Sequence, residues 1–156
     1  MYLKIWFNMK NIIVVDIDGT ISKVGDRIKY LQQDKKDWNS FYNHCDEDDV
    51  YIDMMTLVQT LYDDGYYDIV FCTGRRESCR EKTAKWLAKY SNINEYTLIM
   101  RPNYDFRHDT EVKPELLKEY NITPDRVLFI LEDRDSMVAK WRELGYRCLQ
   151  VAEGNF

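Results

Sequence analysis

The segment Asp16-Ile17-Asp18-Gly19-Thr20 directly follows an unbroken apolar run, Ile12-Ile13-Val14-Val15. Two carboxylates spaced two residues apart can divide labour, one attacking as a nucleophile and the other moving a proton. Thr73-Gly74-Arg75 and Glu132-Asp133 follow apolar stretches in the same way, and Lys113 opens a helix after a third such stretch. In a parallel sheet, ligands sit beyond the carboxyl ends of the strands. A carboxylate after a strand often does no more than cap a helix. Four such strand ends in order, all carrying charge or a hydroxyl, point instead to one crevice.

The chemistry that suits this set is phosphoryl transfer, which leaves a protein mainly positioning and charge neutralisation to perform. Asp16 would attack phosphorus and carry an aspartyl-phosphate. Asp18 would protonate the leaving oxygen. Repulsion between Asp16 and a phosphate dianion calls for a cation, and magnesium favours oxygen ligands such as Asp16, Glu132 and Asp133. Gly19 allows a sharp turn and a close backbone approach. Thr73 offers a hydroxyl to a phosphoryl oxygen. Lys113 precedes Pro114, which biases it away from helical geometry and towards a helix mouth facing Asp16.

The elements that must hold these groups alternate strand and helix. Asn11–Asp16, Tyr67–Cys72, Tyr96–Met100, Arg126–Leu131 and Tyr146–Val151 read as strands. Val50–Asp64 reads as a helix with Ile52, Met55, Val58 and Leu61 on one face and Gly65 as its cap. Ser78-Cys79-Arg80-Glu81 matches a capping box, so a second helix runs from there to about Tyr90. Pro114 suits the first turn of a third helix ending near Tyr120. A fourth carries Met137, Val138, Trp141 and Leu144 and stops at Gly145. Repeated strand–helix units predict an α/β fold, a three-layer sandwich with a five-stranded, mostly parallel sheet and a small insertion after the first strand. Ser22–Asp49 is polar and acidic; it reads as a solvated loop, or as a small flap or cap over the site.

With 156 residues, 45% hydrophobic and 14% aromatic, the chain suits a single domain, 1–156, with a real core. Residues 1–8 read as an extension before Met9-Lys10. The formal net charge of −5 argues against tight non-specific binding to long nucleic acid. Cys45, Cys72, Cys79 and Cys148 form no C-x-x-C pair and read as reduced structural thiols of a cytoplasmic protein. Two histidines, His44 and His108, make a zinc site a poor fit. No apolar run approaches the roughly 20 residues of a membrane span, and no signal peptide is evident. Arg76, Arg80 and Arg101 read as solvated charges. Trp38, Phe41, Tyr42 and Tyr104 could stack on a base, although loop aromatics more often pack onto the domain.

The D-x-D-G-T segment resembles the first motif of haloacid-dehalogenase-like phosphatases. Thr73 matches the second motif, Lys113 the third, and Glu132-Asp133 the acidic fourth. The resemblance implies that Asp16 is the nucleophile, that Asp18 is the general acid, and that the Asp18 carbonyl joins the magnesium site. A closer resemblance, to the phosphatase domain of phage polynucleotide kinase–phosphatases, is carried by Arg27, by Asp105–Lys113, and by the tail from Glu132-Asp133-Arg134 to Gln150–Phe156. It implies removal of 3′-phosphates from DNA or RNA ends, with Arg27 and Arg75 on phosphate oxygens. Gly74, Arg107 and Asp109 join the substrate site, and Asp109 orients Lys113 or the arginines. Glu132 stands where that family has aspartate. No G-x-x-x-x-G-K-[ST] segment occurs, so a separate kinase or ligase would complete the pathway, in the host cytoplasm if the chain is phage-encoded. The alternatives are a nucleotidase or other small-molecule phosphatase, phosphotransfer to a second alcohol, and a module that binds nucleic-acid ends without turnover.

Overall fold

The computed structural model describes residues 11–156. The expectations for residues 1–8 and Met9-Lys10 lie outside them. Strand β1 (Ile12–Val15) is buried along its whole length, as a β-branched run covered on both faces must be. It pairs in parallel with β4 (Asp68–Arg76) on one side and β6 (Val127–Glu132) on the other. Strand β5 (Thr97–Arg101) adds outside β4, and β7 (Cys148–Gln150) outside β6, both parallel. The order β5-β4-β1-β6-β7 gives the expected five-stranded sheet and puts β1 at its centre. The chain leaves β1 for neighbours on both sides, so the crevice falls beyond Val15.

Alternate residues of the strands feed two cores. Ile13, Val15 and Phe71 pack with Met55 and Val58 of helix α2 (Ile52–Asp63) and Trp86 and Leu87 of helix α3 (Arg80–Tyr90). Ile12, Val14, Val70 and Cys72 pack with Val112 and Leu117 of helix α4 (Asp109–Glu119) and Met137 and Trp141 of helix α5 (Asp135–Glu143). The result is the expected three-layer α/β arrangement. Gly65 and Gly145, at φ +73° and +88°, close α2 and α5 in the left-handed conformation. Among the described residues no helix is long and apolar enough to cross a membrane.

Several local expectations need correction. Val50 belongs to a short strand, β3 (Asp49–Val50), antiparallel to β2 (Ser22–Lys23), so α2 starts two residues later. Ile52 is 69% exposed and Leu144 40%, although both share the phase of the core face. Helical period specifies an angle around the axis, not how far along it the core extends. The capping box does not form: the backbone N–H of Ser78 donates to Asn103 Oδ1, and a 3₁₀ turn (Glu77–Cys79) leads into α3. Pro114 lies inside α4, not in its first turn. The helix begins at Asp109, capped by His108, whose Nδ1 accepts from the Thr110 N–H, and Pro114 removes one rung of the ladder further in. Strand β4 continues through Thr73-Gly74-Arg75 instead of ending before them.

The segment after β1 is a packed lobe. It contains β2, a 3₁₀ turn (Asp26–Leu31), helix α1 (Trp38–Asn43) and β3. Asp37 caps α1 by accepting from the Ser40 N–H at 3.0 Å. Arg27, Phe41, Cys45 and Asp48 are all buried, which corrects the reading of this stretch as a solvated loop. The four cysteines are free and buried. The Trp86 indole N–H donates to the Asp48 carbonyl at 2.8 Å and ties the lobe to α3. Trp86→Phe should therefore destabilise the protein by about 1–3 kcal/mol in urea unfolding, because it orphans a buried carbonyl. A change below about 0.5 kcal/mol, the range of ordinary surface substitutions, would show that this bond carries no weight.

Candidate active site

The centre of the site is a buried cluster of three carboxylates and one ammonium. Asp16 follows β1, and its N–H donates to the Leu131 carbonyl at 3.0 Å, which fixes it to β6. Lys113, on α4, donates to Asp16 Oδ1 at 2.7 Å and to Glu132 Oε2 at 3.1 Å. The Thr20 hydroxyl donates to Asp16 Oδ2 at 3.0 Å and lies 3.4 Å from Asp133 Oδ1. Glu132 Oε1 accepts from the Asp133 and Arg134 N–H groups at 3.3 and 3.4 Å. Asp16, Glu132 and Asp133 each place an oxygen within 4.8 Å of the others. Gly19 packs against this cluster at φ +85°; a Cβ there would stand 2.1 Å from Asp133 Oδ2.

The donor set fits a hard divalent cation: three oxygen-bearing groups, buried, with one lysine against three formal negative charges. Burial and the charge of Asp16 push the Asp133 carboxyl up to about 6. Burial and Glu132 likewise raise Asp16, against the lowering influence of Lys113. The Thr20 hydroxyl meets Asp133 Oδ1 only at the long distance of 3.4 Å. Asp135 bonds Gln150 Nε2 at 2.6 Å and is not part of the cluster.

Asp18 lies in a second compartment, where two arginines meet two carboxylates. Arg75 Nε donates to both of its oxygens at 3.1 Å and Arg75 Nη2 to Oδ1 at 2.7 Å, while Arg27 Nη2 donates to the same Oδ1. Both arginines also bond Asp48: Arg27 Nε at 2.8 Å and Nη2 at 2.6 Å, Arg75 Nη2 at 3.4 Å. Ser22 donates to Asp48 as well, at 2.7 Å. Burial alone would raise Asp18, but Arg75 and then Arg27 outweigh it and hold the carboxyl well below the usual range. The structure thus sets Arg27 and Arg75, read as phosphate ligands, onto two carboxylates, where they fix Asp18 in orientation and charge.

A third group forms the rim. Arg101 donates from Nε to the Gly74 carbonyl at 3.2 Å, from Nη1 to the Asp105 and Arg107 carbonyls at 2.9 and 2.7 Å, and from Nη2 to Asp109. Arg134 reaches Asp109 Oδ2 at 3.1 Å. Burial raises Asp109, and Lys113, Arg101 and Arg134 together lower it further than that. A Cβ on Gly74 would meet Asp109 Oδ1 at 2.7 Å. Thr73 is buried, and its Oγ1 accepts from the Arg75 N–H at 3.1 Å. Arg107 is set apart: its exposed guanidinium pairs with Asp105 and Glu115, not with the central carboxylates.

Asp48, Ser22, Thr20 and Arg101 were missed as site residues. Asp48 hides in the run Asp46-Glu47-Asp48-Asp49, where only the fold distinguishes the buried member from its neighbours. Arg101, read as a solvated charge, is 7% exposed. Its signal was present, since it stands at the carboxyl end of an apolar strand just as Asp16 does.

Two measurements test this geometry. Gly19→Ala should lower kcat about a hundredfold, because the strained backbone and the clash with Asp133 displace the cluster by an ångström or so. Gly65→Ala, also left-handed but with no atom within 4 Å of the added carbon, should cost only about 1 kcal/mol of stability. Equal effects on activity would refute the distinction. The second test is titration of stability in chelator. A carboxyl raised in the fold stabilises fully below its ordinary value of 3.8 and loses that contribution as pH rises through about 6. The melting temperature should therefore fall over that window and be restored by a divalent cation that replaces the proton. Asp18 and Asp109 act with the opposite sign, below pH about 4, and do not mask the effect. A melting temperature indifferent to pH and to cation would exclude this reading of the cluster.

Known proteins resemble this chain along nearly its whole length. It is 29% identical over 143 residues to a protein of Autographa californica nuclear polyhedrosis virus described as a bifunctional polynucleotide kinase/RNA ligase, covering 92% of this chain and 19% of that one. Two solved structures, of a Pnkp1/Rnl/Hen1 RNA repair complex and a Pnkp1/Rnl/Hen1 complex, contain chains 31% and 32% identical to it, with TM-scores of 0.79 and 0.77. Each match covers 95% of this chain and 44% or 48% of the other, so the chain spans less than half the length of these relatives. A haloacid dehalogenase-like hydrolase from Streptococcus pneumoniae, 13% identical, shares the fold at a TM-score of 0.59 over 90% of this chain and 83% of that one. Residues 10–156 match the family described as the polynucleotide kinase PNKP phosphatase domain, and the chain belongs to that family of haloacid-dehalogenase-type phosphatases.

Proposed function

We propose that this phosphatase is a magnesium-dependent polynucleotide 3′-phosphatase that acts on nucleic-acid ends through an aspartyl-phosphate. The observation that carries the reading is the Asp16–Lys113 pair at 2.7 Å, buried at the carboxyl end of the central strand and flanked by Glu132 and Asp133. The Lys113 ammonium offsets the charge of Asp16 and lets a phosphate dianion approach. Asp16 Oδ attacks phosphorus as the bond to the leaving oxygen breaks, and that oxygen takes a proton from Asp18. Water then attacks the aspartyl-phosphate, gives its proton back to Asp18, and releases inorganic phosphate and free Asp16. Arg27 and Arg75 hold Asp18 towards its ionised form, which suits it to accepting the proton from water in the second step. In the first step the incoming dianion, drawn to the same guanidiniums, raises its proton affinity. The carboxylates of Asp16, Asp133 and Glu132, with the main-chain carbonyl of Asp18, would hold the magnesium ion, which neutralises phosphate charge when bound.

The relatives named as a kinase/ligase and as RNA repair complexes support a role in healing nucleic-acid ends beside kinase and ligase activities. RNA ends are the first substrate to test. The net charge of −5 limits contacts to the terminal phosphate and its near neighbours, so the salt dependence of binding should be shallow.

The test compares kcat/KM on a 3′-phosphorylated oligonucleotide, its 5′-phosphorylated counterpart, free 3′- and 5′-mononucleotides and p-nitrophenyl phosphate. The 3′-phosphorylated oligonucleotide should be the best substrate, and chelation should abolish turnover. Asp16→Asn should lose more than about a hundredfold while remaining folded. A clear preference for a free mononucleotide would move the assignment to a nucleotidase, and an active Asp16→Asn would remove the covalent mechanism.

A further inference from the structure

Beside the carboxylate cluster runs a row of aromatic side chains that the phosphoryl chemistry does not use. Trp38 on α1 stacks on Tyr42, with ring centres 6.0 Å apart and 25° between planes. The Arg76 guanidinium, at the end of β4, lies over the Tyr42 ring at 5.1 Å and over the Phe106 ring at 5.2 Å. Phe106 is 74% exposed and its neighbour Tyr104 88%. Both line a shallow open groove with Pro102 and Arg107. The row is joined to the reaction site at Gly74, whose carbonyl accepts from the Tyr42 hydroxyl at 3.3 Å and from Arg101.

Two features set this row apart from ordinary packing. First, the arginines nearest the site, Arg27, Arg75, Arg101 and Arg134, are all paired with carboxylates, and so is the more distant Arg107. Arg76 has no ion pair among the described residues; it reaches only Asn39 Oδ1 at 3.4 Å, and its Nε has no hydrogen-bond partner there. Its charge is held in place by two rings and left uncompensated. Second, Tyr104 and Phe106 present their rings to solvent on the loop after β5, at the edge of the sheet where the substrate must arrive, so they contribute little to the core. Flat rings on either side of an unpaired guanidinium suit a strand that offers both base faces and a phosphodiester. A base exposes a face to such rings only when it is unpaired.

We infer that Trp38, Tyr42, Arg76, Phe106 and Tyr104 form a binding track for the last nucleotides of a single-stranded end, with bases on the exposed rings and a phosphodiester on Arg76. This rests on the reading of the site as a polynucleotide phosphatase and adds the strandedness of its substrate and the residues that select it.

The experiment measures kcat/KM of the full chain on p-nitrophenyl phosphate, on a short single-stranded 3′-phosphorylated oligonucleotide, and on the same oligonucleotide in a blunt duplex. Each is repeated for Phe106→Ala, Arg76→Gln and the conservative Phe106→Tyr. The wild type should favour the single strand over the duplex. Phe106→Ala and Arg76→Gln should each lower the ratio of oligonucleotide to p-nitrophenyl phosphate turnover by about fivefold or more, mainly through KM, and Phe106→Tyr should restore it. Unchanged ratios in both variants, with the wild type still preferring oligonucleotides, would overturn the track and spare the polynucleotide reading. Equal turnover of duplex and single strand would overturn the strandedness. A wild type that ignores oligonucleotides altogether would overturn the polynucleotide reading and the track with it.

Discussion

The ammonium of Lys113 joins three elements that the chain makes far apart. Its bonds to Asp16 and Glu132 tie α4 to the carboxyl ends of β1 and β6, in a place closed to solvent. Each carboxylate there would be costly alone, and together they repel. One cation bonded to two of them makes the cluster tolerable without neutralising it. The remaining negative charge suits the same spot to a hard metal ion. Much of the surrounding structure serves this balance. Thr20 holds the second oxygen of Asp16, backbone N–H groups hold Glu132, and Gly19 and Gly74 keep space that a single carbon atom would fill.

A second balance, with the sign reversed, governs Asp18. Two arginines meet two carboxylates, Asp18 and Asp48, so this compartment is close to neutral and well bonded. The two aspartates of one short motif therefore enter opposite electrostatic settings. Asp16 is pushed towards protonation by burial and by its acidic neighbours, and Asp18 is held ionised by guanidiniums. A nucleophile must be ionised and a proton donor protonated, so in the proposed mechanism a bound cation would have to lower Asp16, and a phosphate drawn to the guanidiniums would have to raise Asp18. The lobe after β1 supplies Arg27, Ser22 and Asp48, so it acts as a wall of the site.

The same lobe and the loop after β5 form the outer rim. Trp38 and Tyr42 come from the lobe, Phe106 from the loop, and Arg76 sits between them. Arg101 and Asp109 connect that rim to the interior through Gly74. A long substrate arriving at the rim would thus touch elements that also position Thr73 and Asp18, which offers a route by which remote contacts could assist the reaction.

Local order and the chemistry of the strand ends were legible in the amino-acid sequence. Apolar runs four to six residues long, separated by amphipathic helices, specify a parallel sheet. The motif residues Asp16, Asp18, Thr73, Lys113, Glu132 and Asp133 lie where such a sheet exposes its carboxyl edge. Periodicity and residue type are short-range properties, and they sufficed for these elements. The partners of each charge were decided only by the tertiary structure. Arg27 and Arg75 are cations with a natural attraction to phosphate, and nothing local reveals that a buried Asp48 and Asp18 hold them. Asp48 and its acidic neighbours differ only in which one the lobe turns inward, and Arg101 differs from a surface arginine only in the loop that folds over it. Charge pairing depends on distance in space, falling off with separation and with exposure to water, and residues tens of positions apart acquire that distance only when the chain has folded.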